Sequence, residues 1–98
     1  IPSAEFSHIM KVSKSLVVGD LSFKYTSRSD PALGLIVSKY YGNSVERNLF
    51  KRRCRYLFRN MLINQGIDIA LIVRPETQNI PFTKINNSFR ALYEKISV

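Results

Sequence analysis

Apolar residues recur along this chain in two rhythms. From Val45 to Leu62, Phe50, Cys54, Leu57 and Met61 repeat three and four apart, the period of a helix with one buried side. Asn43 followed three residues later by Glu46 predicts the start of that helix, an amide cap with an acid in the first turn. Asn64-Gln65-Gly66 predicts its end. A last helix opens with Pro81 at its first position, and Phe82, Ile85, Phe89, Leu92 and Ile96 form one stripe along it. A short first helix is read over residues 3–12, with Ser3 as its cap and Phe6, Ile9 and Met10 on one side.

The other rhythm has period two. Leu16-Val17-Val18 leads to a break at Gly19-Asp20, read either as a bulge or as a turn dividing two strands. Beyond it Leu21, Phe23 and Tyr25 fall on one face, Ser22 and Lys24 on the other. Residues 26–31 read as a turn. Residues 33–38 are nearly all apolar, which predicts a central strand covered on both faces. Residues 67–73 make a second strand of that kind, stopped by Arg74-Pro75 and followed by a polar loop. The order is helix, two or three strands, helix, strand, helix. Such an order packs as a two-layer α+β domain, and residues 1–98 are expected to form one. The two apolar strands flank the middle helix, which suggests a parallel strand-helix-strand unit.

Charge changes the picture at the middle helix. The chain has 15 Lys and Arg against 7 acids, a net +8. Val45 to Asn60 holds Arg47, Lys51, Arg52, Arg53, Arg55 and Arg59 with a single acid, Glu46. Set around the axis at about 100° per residue from Arg47, the residues Asn48, Lys51, Arg52, Arg55 and Arg59 fall between about 40° and 140°. Phe50, Cys54, Leu57 and Met61 cluster at about 280° to 340°, with Phe58 and Leu62 at the seam. Arg53 falls at about 240°, away from the other cations. Like charges three and four apart cost a helix some tenths of a kcal/mol per pair, so this side is read as a place for anions. Solvated helix faces usually mix Glu with Lys; this one has no acid among its cations. A polyanionic partner follows, nucleic acid before an anionic membrane.

Other chemistry is not signalled. The seven acids are scattered, with no carboxylate pair, metal-ligand spacing, Ser-His-Asp set or Gly-rich phosphate loop. His8 is read as a surface residue, and Cys54, on the apolar side, as a buried structural thiol. A lone cysteine forms no internal disulfide, in keeping with a reducing, cytoplasmic setting. No run approaches the ~18 apolar residues of a membrane span. The start, Ile-Pro-Ser-Ala-Glu-Phe, is unlike a signal peptide.

Arg47-Asn48-x-x-Lys51-Arg52-x-x-Arg55 resembles the RNR signature helix of the bacterial ribonuclease P protein subunit. Leu35 to Lys39 (Leu-Ile-Val-Ser-Lys) and Gly42-Asn43-x-Val45 resemble that family's strand and turn before the helix. Glu5-Phe6 is similar to its first helix, and Asp68 to Pro75 to its last strand. Leu49 stands where the family usually has a third signature Arg, Tyr56 where an acid is frequent, Tyr40 where a second Lys is common, and Met10 where a second cleft aromatic occurs.

The resemblance implies an α-β-β-β-α-β-α fold with a mixed sheet and a left-handed β-α-β crossover, like domain 2 of ribosomal protein S5. It also implies an accessory subunit that binds a catalytic RNA. Together they remove the 5′ leader of precursor tRNA by Mg²⁺-dependent hydrolysis, with the chemistry and the Mg²⁺ in the RNA and no ion held tightly by the protein. Arg47, Asn48, Lys51, Arg52 and Arg55, with Lys39 beside them and Arg59 on the same helix side, become the RNA-contacting set. A cleft between the sheet and the first helix takes the single-stranded leader. Phe6 and Met10 are its expected lining, with Phe23 and Tyr25 as further candidates; plain core packing is the other reading of Phe6. The expected partners are the ribonuclease P RNA and precursor tRNA, with no membrane and no obligate protein partner. The alternative is a non-enzymatic RNA-binding protein, ribosomal or chaperone-like, on the same scaffold. A membrane-binding helix would need bulky apolar residues exposed opposite the cations, whereas here they are needed to cover strands.

Overall fold

The computed structural model describes residues 8, 9, 11 and 13–97. Phe6 and Met10 lie outside these residues. His8, Ile9 and Lys11 are helical, and Ser13 N–H donates to the Ile9 carbonyl at 3.0 Å.

The Gly19-Asp20 break is a turn. It joins β1 (Lys14–Val18) to β2 (Leu21–Ser27) as an antiparallel hairpin with Val17 opposite Ser22 and Leu16 opposite Phe23. β3 (Ala32–Leu35) follows, then a short 3₁₀ turn (Lys39–Tyr41), α1 (Ser44–Leu57), β4 (Ile69–Pro75) and α2 (Phe82–Ile96). Sheet order is β1-β2-β4-β3, with β2 antiparallel and β3 parallel to β4. The mixed sheet and the parallel β3-α1-β4 unit are as expected.

Three details differ from the expectation. The apolar run at 33–38 is an edge strand, not a central one: β4 alone pairs with it, and only Gly34 in it is fully buried. Leu33, Gly34 and Leu35 border an open groove that Lys51, Arg55 and Phe58 also line. Pro81 is the N-cap of α2 and not its first residue; its carbonyl accepts from Lys84 N–H and Ile85 N–H at 3.1 and 3.2 Å. Finally, α1 gives way to one π-helical turn, Phe58–Leu62. A turn closed i→i+5 advances fewer degrees per residue than an α-turn. Leu62, at the seam on an α-helical wheel, is thereby carried to the core side and is fully buried, as is Phe58 at 5% exposure. Gly66 then ends the helix in the left-handed region, its φ being 78°.

The core lies on one face of the sheet. Leu21, Phe23, Leu71 and Val73 meet Phe50, Cys54 and Leu57 of α1 and Ile85, Phe89 and Leu92 of α2. Phe23 and Phe89 pack edge-to-face with centroids 5.3 Å apart. Each such side chain contributes about 1.5–3 kcal/mol by burial. The alternate residues of β4, Ala70 and Ile72, face the other way and cluster with Ile9 and Ile36. The sheet therefore has a closed face under α1 and α2, and a second face toward the N-terminal helical residues.

Candidate nucleic-acid interface

The middle helix starts where Asn43 and Glu46 predict. Asn43 Oδ1 accepts from Glu46 N–H at 2.8 Å, and Glu46 Oε1 accepts from Asn43 N–H at 2.9 Å. A Cβ at Gly42 would stand 2.7 Å from Glu46 Oε1, so a side chain there would push that carboxylate out of the box. Phe50, Cys54 and Leu57 fix the rotation of the helix by burying one side. Burial also pushes the Cys54 thiol up to about 12, with nearby Arg55 pulling weakly the other way. The thiol stays protonated, which suits a packing role.

Fixing that side turns the cations outward. Asn48, Arg52, Arg55 and Arg59 are exposed, Arg47 and Lys51 half-buried. The one acid of the stretch, Glu46, is committed to the cap. The ion pairs among the described residues, Arg28–Asp30, Lys84–Asp20 and Arg74–Glu76, draw on no cation of this helix. The Nε of Arg47 is shielded from solvent and has no hydrogen-bond partner among the described residues. Lys51, Arg55 and Arg59 line an open groove of about 520 Å³ together with Leu33 to Leu35, Phe58 and Ile63. Lys39 is exposed on the 3₁₀ turn just before the cap. That turn is anchored by Tyr41, which is buried against Phe50 and accepts from Ile80 N–H at 2.9 Å. Burial raises the Tyr41 hydroxyl above its ordinary value, and its hydrogen bond with Ile80 opposes the rise.

Arg53 leaves the array, as the wheel predicts. Its guanidinium lies over the ring of Phe82, 5.6 Å from the centroid, and ties α1 to α2.

The sheet-face candidates fare differently. Phe23 points into the closed core at 1% exposure, and Tyr25 packs against the same core. Alternation turns these side chains away from Ser22 and Lys24, and α1 and α2 take the aromatic side. The open face carries a hollow of about 180 Å³ lined by Ser15, Val17, Ser22, Lys24, Ile36, Ile72 and Arg74, and Phe23 also contributes to its lining. The register sets Ser22 beside Arg74 and Lys24 beside Ile72. Arg74 was not singled out from the sequence, where it reads as a strand stop. Its Nε and Nη2 donate to Glu76 Oε1 at 3.3 and 3.1 Å, and the Ser22 hydroxyl donates to the same carboxylate oxygen. The Ser22 bond, then Arg74, holds the Glu76 carboxyl below the usual carboxylate range.

A four-stranded α+β layer with a helix side whose cations make no ion pair among the described residues defines a class: a small, strongly basic protein with a surface suited to a polyanion. The particular family is given by comparison. The family model described as Ribonuclease P matches residues 2–97, and the chain belongs to that family, as the bacterial protein component. It is 34% identical over 99 residues to the ribonuclease P protein component of Clostridium kluyveri, covering 95% of this chain and 88% of that one. It is 29% identical over 75 residues to that of Finegoldia magna, covering 74% and 66%. The solved structure of the Staphylococcus aureus RNase P protein superposes with a TM-score of 0.79 at 25% identity, covering 99% of this chain and 92% of the other.

Proposed function

We propose that this protein is the RNA-binding subunit of a ribonuclease P that removes 5′ leaders from precursor tRNA. The observation that carries the reading is the cation side of α1. Arg47, Lys51, Arg52, Arg55 and Arg59 stand together without acids, on a helix held rigid by a capping box and a buried opposite face. Arginine forks pair with phosphate oxygens through two N–H groups, and lysine adds point charge.

Catalysis is assigned to the RNA subunit. A divalent cation wants oxygen ligands, and the α1 side offers guanidinium, ammonium and one amide. Mg²⁺ therefore enters as the RNA's ion, and this chain's residues bind and orient. The single-stranded leader is assigned to the open sheet face, where Lys24 and Arg74 flank the half-buried Ile36 and the buried Ile72. Phe6 and Met10, outside the described residues, remain candidate leader contacts in that proposal.

The test is affinity. Ribonuclease P RNA from the same organism, with and without the protein, is titrated with precursor tRNA and with mature tRNA. The protein is expected to tighten binding of the precursor and leave the mature tRNA almost unchanged. Equal tightening of both would remove the leader from the reading.

A further inference from the structure

Tyr40 is 71% exposed, while its neighbour Tyr41 is 4% exposed. Adjacent tyrosines with opposite fates ask for separate explanations. Tyr41 is the anchor of the 3₁₀ turn, through Phe50 and Ile80. No packing role in the core explains Tyr40, and an exposed large aromatic ring on a strongly basic protein offers a π-face to whatever passes.

What passes is set by the neighbouring surface. Tyr40 lines a small depression of about 70 Å³ together with Ser38, Thr77, Ile36 and Arg74. Ile36 and Arg74 also line the hollow on the open sheet face. The two depressions thus share a wall. A strand that leaves the hollow past Arg74 next meets Tyr40. Arg74 is oriented for this position by its bonds to Glu76, itself held by Ser22, and its side chain is still 59% exposed. A guanidinium fork has further donors beyond the two turned to Glu76. Lys39, next to Tyr40 on the same turn, is exposed as well.

We infer that Tyr40 and Arg74 form a nucleotide subsite at the end of the sheet-face hollow, in which an unpaired RNA base stacks on Tyr40 and its phosphate meets Arg74. The chemistry is that of single-strand binding, where aromatic platforms take bases regardless of sequence and cations track the backbone. Both groups are in place before binding, Tyr40 on an anchored turn and Arg74 in a hydrogen-bonded cluster, so little ordering is required. The inference rests on the assignment of the leader to the open sheet face.

The experiment uses the holoenzyme, reconstituted with ribonuclease P RNA from the same organism. Precursor tRNAs with leaders lengthened one nucleotide at a time are titrated against the native protein, Tyr40→Ala, Tyr40→Phe and Arg74→Ala. In the native holoenzyme affinity should rise with leader length. Tyr40→Ala should cancel one increment of that rise, weakening the longer precursors about 5- to 150-fold, the range for one stacked base. Tyr40→Phe should keep the increment, Arg74→Ala should lose it, and mature tRNA should bind all four proteins alike. A Tyr40→Ala effect below about twofold, or an equal loss with mature tRNA, would overturn the subsite while leaving the leader assignment in place. The second result would place Tyr40 against the RNA subunit or the tRNA body. A native holoenzyme indifferent to leader length would overturn the leader assignment and the subsite with it.

Discussion

The double substitution Lys51→Ala plus Arg55→Ala tests whether the groove beside β3 receives phosphates. Both side chains line that groove and neither takes part in an ion pair among the described residues. Removing two phosphate contacts lowers the slope of log affinity against log salt by about 1.4 to 1.8, at ~0.7 per contact for single strands and ~0.9 for duplex. Over a fourfold change in salt, the double variant should then be spared about a tenfold loss that the native protein suffers. Folding should hardly change, since like-charge repulsion along the helix is relieved by some tenths of a kcal/mol. Arg53→Ala is the control from the same Lys-Arg run. It removes the contact with Phe82, worth about 0.5–1 kcal/mol, and should lower Tm by a few degrees with the salt slope unchanged. The assay is fluorescence titration of ribonuclease P RNA at several salt concentrations, with thermal unfolding alongside. Equal slope changes from the double variant and from Arg53→Ala would refute the division of the helix into two sides.

Two further outcomes follow from the packing of α1. Cys54 should resist iodoacetamide at pH 8 in the native protein and react once urea unfolds it, as mass spectrometry would read; because folding raises this thiol from 9.0 to about 12, its share of stability is complete below pH 9 and is lost as pH climbs toward 12. Asn43→Ala should remove the acceptor for Glu46 N–H and cost about 1 kcal/mol, with Gly42→Ala acting in the same direction by crowding Glu46 Oε1, both measurable as a fall in Tm of about 4–8 °C.

Local chemistry made much of this molecule legible before its structure. The capping box at Asn43 and Glu46, the end at Gly66 and the turn at Gly19-Asp20 are short-range, and each stands where the residues point. The division of α1 into an apolar and a cationic side needed only the period of 3.6, and Arg53 left the array for the same reason. What escaped depends on distant partners. Residues 33–38 look central because they are apolar, but β3 lies at the sheet edge and borders an open groove beside α1 rather than another strand. The π-helical turn is invisible to a fixed wheel; the need to bury both Phe58 and Leu62 is what a wider turn satisfies. Alternation sorted Phe23 and Tyr25 from Ser22 and Lys24, yet it does not say which set meets the two long helices. Arg74 reads as punctuation in the sequence, and only the β2–β4 register brings it beside Ser22 and onto the open face.

The central claim is that this protein supports a catalytic RNA without performing the hydrolysis itself. The direct measurement is cleavage of precursor tRNA by ribonuclease P RNA from the same organism at low Mg²⁺, with the RNA alone, the protein alone and both together. The account predicts rapid release of the 5′ leader from the mixture, slow release from the RNA alone, and none from the protein alone. No acceleration by the protein over the RNA alone would contradict it.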